Sequence, residues 1–223
     1  MSKLHTLACL ACAATVLTLS AAAQAAAPNL IANGNFESGL TGFTSDYVVG
    51  GDSWSEGVLN VGTDPKQFHS LWDSVSDGSN MLFVNGSTAA EPRTVWSETV
   101  SLSKGASYDY SGSVISLYAD NPALLQAVAT IGGKDYVVGT VQLNGGGSTP
   151  QWQSWSGTLV SPFSGNVVLK LIDLNQSASG NDFALDNLSL TQTAAVPEPQ
   201  SWAMALAGLA ALGFIARRRQ RRG

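Results

Sequence analysis

Between Asn29 and Thr193 no apolar run keeps the 3.6-residue period of a helix. Clusters of Gly, Ser, Asn and Asp interrupt this stretch about every eight to twelve residues. Turn signals stand at Lys104-Gly105, Gly132-Gly133, Asn144-Gly145-Gly146-Gly147 and Ser164-Gly165, where glycine supplies backbone angles that other residues resist. The runs between them predict strands at Asn29–Phe36, Tyr47–Val49, Gly57–Val61, Met81–Asn85, Thr94–Leu102 and Ser107–Tyr118. Further strands are expected at Leu124–Ile131, Asp135–Leu143, Trp152–Val160, Asn166–Leu174 and Asp182–Thr191. Short strands at this spacing, with no second composition block and no internal repeat, predict one all-β domain. The expected architecture is an antiparallel β-sandwich of jelly-roll type.

Both ends of the chain differ from this middle. Residues 1–27 have Lys3, an apolar core from Leu7 to Leu19 and an Ala-rich end with Ala23-Gln24-Ala25, the pattern of a signal peptide cut by signal peptidase. Cys9 and Cys12 lie inside it, so the domain expected at 28–192 has no thiol and no disulfide. Residues 193–223 hold a linker, Pro197-Glu198-Pro199, an apolar run to Ala216, and Arg217, Arg218, Arg219, Arg221 and Arg222. The prolines break regular structure, and the uncharged Ala- and Leu-rich run favours helix. The 16 residues from Ser201 to Ala216 make roughly 24 Å of helix, a short transmembrane span that snorkelling arginines would complete. The arginines place the C-terminus in the cytoplasm and the domain outside.

This three-part tail resembles the PEP-CTERM sorting signal of Gram-negative bacteria, on Pro197, Glu198, Pro199, the span from Trp202 to Ala216 and the cluster from Arg217 to Arg222. The resemblance implies an inner-membrane-anchored precursor cut by exosortase, with the product delivered to the cell surface or extracellular matrix.

Between the leader and the apolar run, five basic residues face sixteen acidic ones, a net charge of −11. Such a surface repels nucleic acid and anionic headgroups, and suits neutral glycans and divalent cations.

Two carboxylates stand out. By strict alternation Asp186 shares a face with Ala184, Leu188 and Leu190, so an inward Asp186 needs a cation or several N–H donors. Glu37 closes Asn33-Gly34-Asn35-Phe36-Glu37, and first and last strands of a sandwich often lie side by side, so the two carboxylates can meet. The opening Asn-Gly-Asn-Phe-Glu and closing Asp-Phe-Ala-Leu-Asp-Asn resemble the galactose-binding-like jelly rolls, which include several carbohydrate-binding modules. That resemblance implies a structural calcium on Glu37 and Asp186, with Asn35 a weaker ligand; hard oxygen donors suit calcium. Val61-Gly62-Thr63-Asp64-Pro65, His69, Trp72 and the stretch Ser79 to Gly86 resemble a recurrent segment of PEP-CTERM-anchored sandwich proteins, which implies fold and location.

No catalytic site is expected. His69 is the single histidine outside the leader, no Gly-x-Ser-x-Gly elbow is present, and Asn144 to Ser148 lacks the lysine and helix of a phosphate loop. Trp54, Trp72 and Trp152 sit in polar contexts and are the expected exposed rings for stacking on sugars. The leading expectation is a non-catalytic surface or matrix protein with exopolysaccharide as candidate ligand. A structural or adhesive matrix component binding proteins or itself is the alternative. A secreted glycoside hydrolase is a third class, with Asp73, Asp77, Glu91 and Glu98 as the carboxylates to consider.

Overall fold

The computed structural model describes residues 27–75, 78–145 and 150–193, together with positions 207–209, 217, 218 and 220 in the C-terminal segment. Ten strands form two sheets. They are β1 (Val48–Val49), β2 (Val58–Gly62), β3 (Met81–Asn85), β4 (Arg93–Leu102) and β5 (Ser107–Ser116), followed by β6 (Leu124–Ile131), β7 (Lys134–Gln142), β8 (Gln153–Val160), β9 (Gly165–Asp173) and β10 (Phe183–Gln192). The six-stranded sheet has the order β1-β2-β3-β10-β5-β8 and the four-stranded sheet the order β4-β9-β6-β7. Apart from the short parallel pair β1–β2, the pairings are antiparallel, which is the two-sheet jelly-roll sandwich the turn spacing predicts.

Alternation explains the packing. Leu82 and Val84 of β3, Val114 of β5 and Phe183 and Leu185 of β10 point between the sheets, where they meet Trp96, Val167, Leu169 and Leu171. The other face of the same strands is also apolar, with Met81, Phe83, Ile115, Leu117 and Ala184. A sheet face of that kind cannot stay in water. The segment from Thr63 to Val75 lies over it as a strap, and its Trp72 and Val75 close this second cluster. The strap begins with a 3-10 turn at Pro65–Gln67, whose N-cap Asp64 accepts the Lys66 N–H at 3.1 Å.

One expected strand is absent. Asn29–Phe36 makes a single bridge, Asn29 to Thr191, and then turns, with positive φ at Asn33 (41°) and Phe36 (53°). Asn33 drives the change: its Oδ1 accepts the Ser38 N–H, and its Nδ2 donates to the carbonyls of Gly39 and Thr41. The segment still runs beside β10, because Leu30 donates to Leu190 O and Leu188 donates to Gly34 O.

The two poles of the sandwich differ. Asn29, Thr193 and the loops Ser103–Ala106 and 161–164 share one pole, joined by Gly105 N–H to Ser161 O and Lys104 N–H to the Ser164 hydroxyl. The start of β10, the end of β3 and the loops 50–57, 86–92 and 174–182 form the other. Residues 1–26, the PEP triplet and most of the apolar run from 202 to 216 fall outside the described residues. The positions 207–209, 217, 218 and 220 are helical, and among the described residues no helix is long and apolar enough to cross a membrane.

A Cβ at Gly34 would lie 2.1 Å from the Leu188 carbonyl oxygen, which is backbone and cannot step aside. Gly34→Ala is therefore expected to cost about 1–3 kcal/mol of stability by overpacking, read as a lower denaturant midpoint with unchanged m-value.

Candidate functional site: an aromatic ladder at the distal pole

The site begins on β3. Phe83 points out of the sheet and meets Trp72 of the strap edge-on, with ring centroids 5.9 Å apart. Trp72 stacks on His69 at 4.9 Å, and His69 in turn lies 3.9 Å from Trp54, contributed by the loop before β2. The ladder thus climbs from the sheet to solvent, where Trp54 is 56% exposed. Phe68 packs on Phe83 at 4.6 Å from the side, and Trp152 is half-buried against the same cluster. The Trp54 loop is tied down from below: Asn60 Nδ2 donates to Gly51 O and the Ser53 hydroxyl, and Asn85 Nδ2 donates to Ser53 O.

The three tryptophans singled out in the sequence therefore gather around one cluster, but only Trp54 presents a free face. Trp72 is 1% exposed, contrary to the expectation of an open ring. Its polar neighbours suggested a loop in water, whereas the loop is a strap that needs an apolar anchor over β3, β5 and β10. Trp96 is in the inter-sheet core, as its alternation indicates.

Beneath the ladder lies a polar cluster that sequence reasoning missed. Asp182, just before β10, is 8% exposed. Burial raises its carboxyl to about 7, Trp72 and the Gly86 backbone lower it, and the nearby negative charge of Glu56 raises it further. The Trp72 indole N–H faces this carboxyl without reaching hydrogen-bond geometry, so Trp72 Nε1 and Asp182 Oδ1 are both buried and unpartnered, as is His69 Nδ1. Burial also lowers the His69 pKa, against an opposing pull from Asp52, and burial raises that of Glu56. The only sequence signal was Asp52-Ser-Trp-Ser-Glu56, two carboxylates bracketing Trp54. A second buried acid, Asp173, has a carboxyl raised to about 6 by burial. Donors from the Asn175 backbone, Asn181 Nδ2 (2.8 Å) and Tyr47 hydroxyl (3.0 Å) hold it down from a higher value.

The expected metal ligands sit toward the opposite end. Glu37 is exposed and accepts the Asn80 N–H at 2.8 Å; Asn35 is also exposed. Asp186 is 2% exposed and accepts from the Asn187 backbone at 2.6 Å and its side chain at 3.1 Å. The register Leu185 to Leu82 puts Asp186 alongside the start of β3, where Glu37 holds Asn80, so the fold brings both carboxylates to one strand end. The face assignment needs correction. A bulge between Asp186 and Ser189, with Asn187 at φ 54°, reverses the alternation. Leu188 and Leu190 enter the inter-sheet core, while Asp186 stays on the outer face with Ala184. Among the described residues no group of three or more His, Cys, Asp or Glu side chains is placed to hold a metal.

Solved structures confirm the class of fold. The chain is similar to the CBM22-1 xylan-binding domain of Paenibacillus barcinonensis Xyn10C, with 21% identity over 78% of this chain and 100% of that one, TM-score 0.50. It is also similar to the Stig cyclase Fisc from Fischerella sp. TAU, with 16% identity over 76% and 98%, TM-score 0.54. A third likeness is to MgGH51, an α-L-arabinofuranosidase, with 16% identity over 75% and 27%, TM-score 0.52. These likenesses establish a jelly-roll sandwich. No curated protein matches the chain. Residues 195–222 match the PEP-CTERM protein-sorting motif, so the chain carries an exosortase sorting signal, the mark of an exported protein held in the membrane before processing.

Asp182 and Asp173 hold their protons more tightly folded, at about 7 and about 6, than at the ordinary value of 3.8. The folded state thus binds more protons across that window. Their contribution is complete below about 4 and is lost as pH rises through 6 and 7. Thermal melts should show Tm rising by several degrees as pH falls from above 7 toward 5, and Asp182→Asn should flatten the upper part of that slope.

Proposed function

We propose that this is an exosortase-sorted surface or matrix protein whose jelly-roll domain, residues 28–192, binds exopolysaccharide without catalysis at the Trp54 pole. The observation that carries this reading is Trp54 itself: an open indole face, held rigid by His69 and Trp72, at a loop-built pole. Rigid aromatic faces stack on the apolar side of sugar rings at little entropic cost. The position also fits display. The last described residue of the domain, Thr193, lies at the far end of the ten-residue β10, roughly 33 Å away at ~3.3 Å per residue. A precursor tethered there turns Trp54 away from the bilayer. A jelly roll described as xylan-binding lends the reading support by analogy of fold. The test is binding of the full chain to a panel of soluble and insoluble polysaccharides. Trp54→Ala should reduce retention about tenfold, as expected for losing ~1–2 kcal/mol of stacking, with Tm unchanged. Retention on no polysaccharide, or retention indifferent to Trp54→Ala, would favour the structural or adhesive reading.

Calcium belongs to the same proposal, on Glu37 and Asp186 with Asn35 as a weaker ligand. Two carboxylates brought to one strand end, one of them buried, supply hard oxygen donors near backbone that can complete the shell. Saturating calcium should raise Tm and a chelator should reverse it, the gain being about 2.7 kcal/mol at a hundredfold excess over Kd. Glu37→Gln and Asp186→Asn should each abolish the response. A calorimetric titration with no heat and no shift in Tm would remove the metal.

A further inference from the structure

We infer that the polysaccharide taken at the Trp54 pole carries free amines: a cationic amino-sugar polymer, with its ammonium groups between the Trp54 ring and the carboxylates of Asp52 and Glu56. The inference rests on the glycan-binding reading above and narrows its ligand class.

Asp52 and Glu56 bracket Trp54 at two residues on either side. The Asp52 carboxylate accepts the Trp54 backbone N–H at 3.2 Å and lies close enough to His69, the ring stacked on Trp54, to act on its charge; the Ser55 N–H donates to Asp52 O at 2.9 Å, closing the turn. Both acids are exposed and neither makes an ion pair among the described residues, where the single salt bridge is Lys170 to Asp135. Below them lies Asp182, near Glu56, with its buried Oδ1 making no hydrogen bond among the described residues.

The whole pole has the same character. Asp46, Asp52, Glu56, Glu91 and Asp120 are exposed on its loops. The bases near them are Arg93, which donates to the Asp46 carbonyl at 3.4 Å, and Lys66 on the 3-10 turn of the strap. Lys104 and Lys134 lie at the opposite pole, at the Ser103–Ala106 loop and the β6–β7 turn. A neutral glycan would use the ring and leave these carboxylates without a role. An anionic polymer would be repelled by them. An ammonium-bearing sugar uses both features: its ring stacks on the indole, its charge is favoured over the aromatic face, and the field of the pole raises its local concentration. Because these carboxylates face water, the electrostatic part weakens with salt.

The test uses the full chain in detergent, titrated calorimetrically with hexaglucosamine and with its fully N-acetylated counterpart. The pH is kept near 6, where the amines are largely charged. A polyuronate of similar length serves as the anionic arm. The expected result is at least about tenfold tighter binding of the free-amine hexamer at low salt, the gap closing near ~0.5 M salt. The Asp52→Asn/Glu56→Gln pair should bring the free-amine affinity down to that of the acetylated hexamer, and Trp54→Ala should weaken both. Equal affinity for the two hexamers at low salt, tighter binding of the polyuronate, or an acid pair whose removal changes nothing would each overturn the amine preference. If the acetylated hexamer still binds and Trp54→Ala abolishes that binding, the glycan reading survives while this inference falls. Binding of neither hexamer also ends it, and the polysaccharide panel then judges the broader reading alone.

Discussion

Strand β10 is hydrogen-bonded on both sides, to β3 and to β5, and its second half also carries the opening segment of the chain. A strand so enclosed has no freedom to slip, because each slip by one residue would exchange its core face for its outer face. The bulge after Asp186 lets it do in place what a slip would do globally. Its first half sends Phe183 and Leu185 inward, its second half sends Leu188 and Leu190 inward, and one acid is left between them on the outer side. Asn187 takes the positive φ this requires, a role in which asparagine is the least strained residue after glycine.

The same strand sets the second demand of the fold. With Ala184 and its neighbours Phe83 and Ile115 pointing away from the inter-sheet core, the six-stranded sheet has two apolar faces. The strap from Thr63 to Val75 meets that demand and pins itself by Asp73 N–H to Leu117 O. It does so imperfectly. Burying Trp72 leaves its indole N–H facing a carboxyl at poor geometry, and His69 Nδ1 without a donor or acceptor. Unmade hydrogen bonds of this kind cost about 1–3 kcal/mol each. Three of the unpartnered atoms, on His69, Trp72 and Asp182, gather at the ladder; Asn181 Oδ1 and Trp155 Nε1 are the others among the described residues.

The charge distribution follows the same axis. The sorting signal follows the pole where β10 ends, and exposed acidic loops occupy the other. The exposed indole of Trp54 thus stands among acidic loops.

Turn chemistry and alternation are local properties, and local physics was enough to define Met81–Asn85 and Leu124–Ile131 to the residue and most other strands to within one or two. The three-part tail was equally legible, because proline, an uncharged helix and arginine each act on their own neighbourhood. Asn29–Phe36 failed as a strand since Asn33 found better partners in Ser38, Gly39 and Thr41 than a ladder offered, a competition invisible to periodicity. Likewise Asp186 was read on the wrong company of residues, because a bulge is a cross-strand event. Trp72 looked exposed by its neighbours in sequence and is buried by its neighbours in space. Properties that depend on the next few residues could be read from the chain alone: strand positions, an exported thiol-free domain, and an acidic balance. Which face each side chain meets was settled in three dimensions, where Trp54, His69, Trp72 and Asp182 come together from three separated segments, since pairing register and strap docking are set by the contacts of distant parts of the chain.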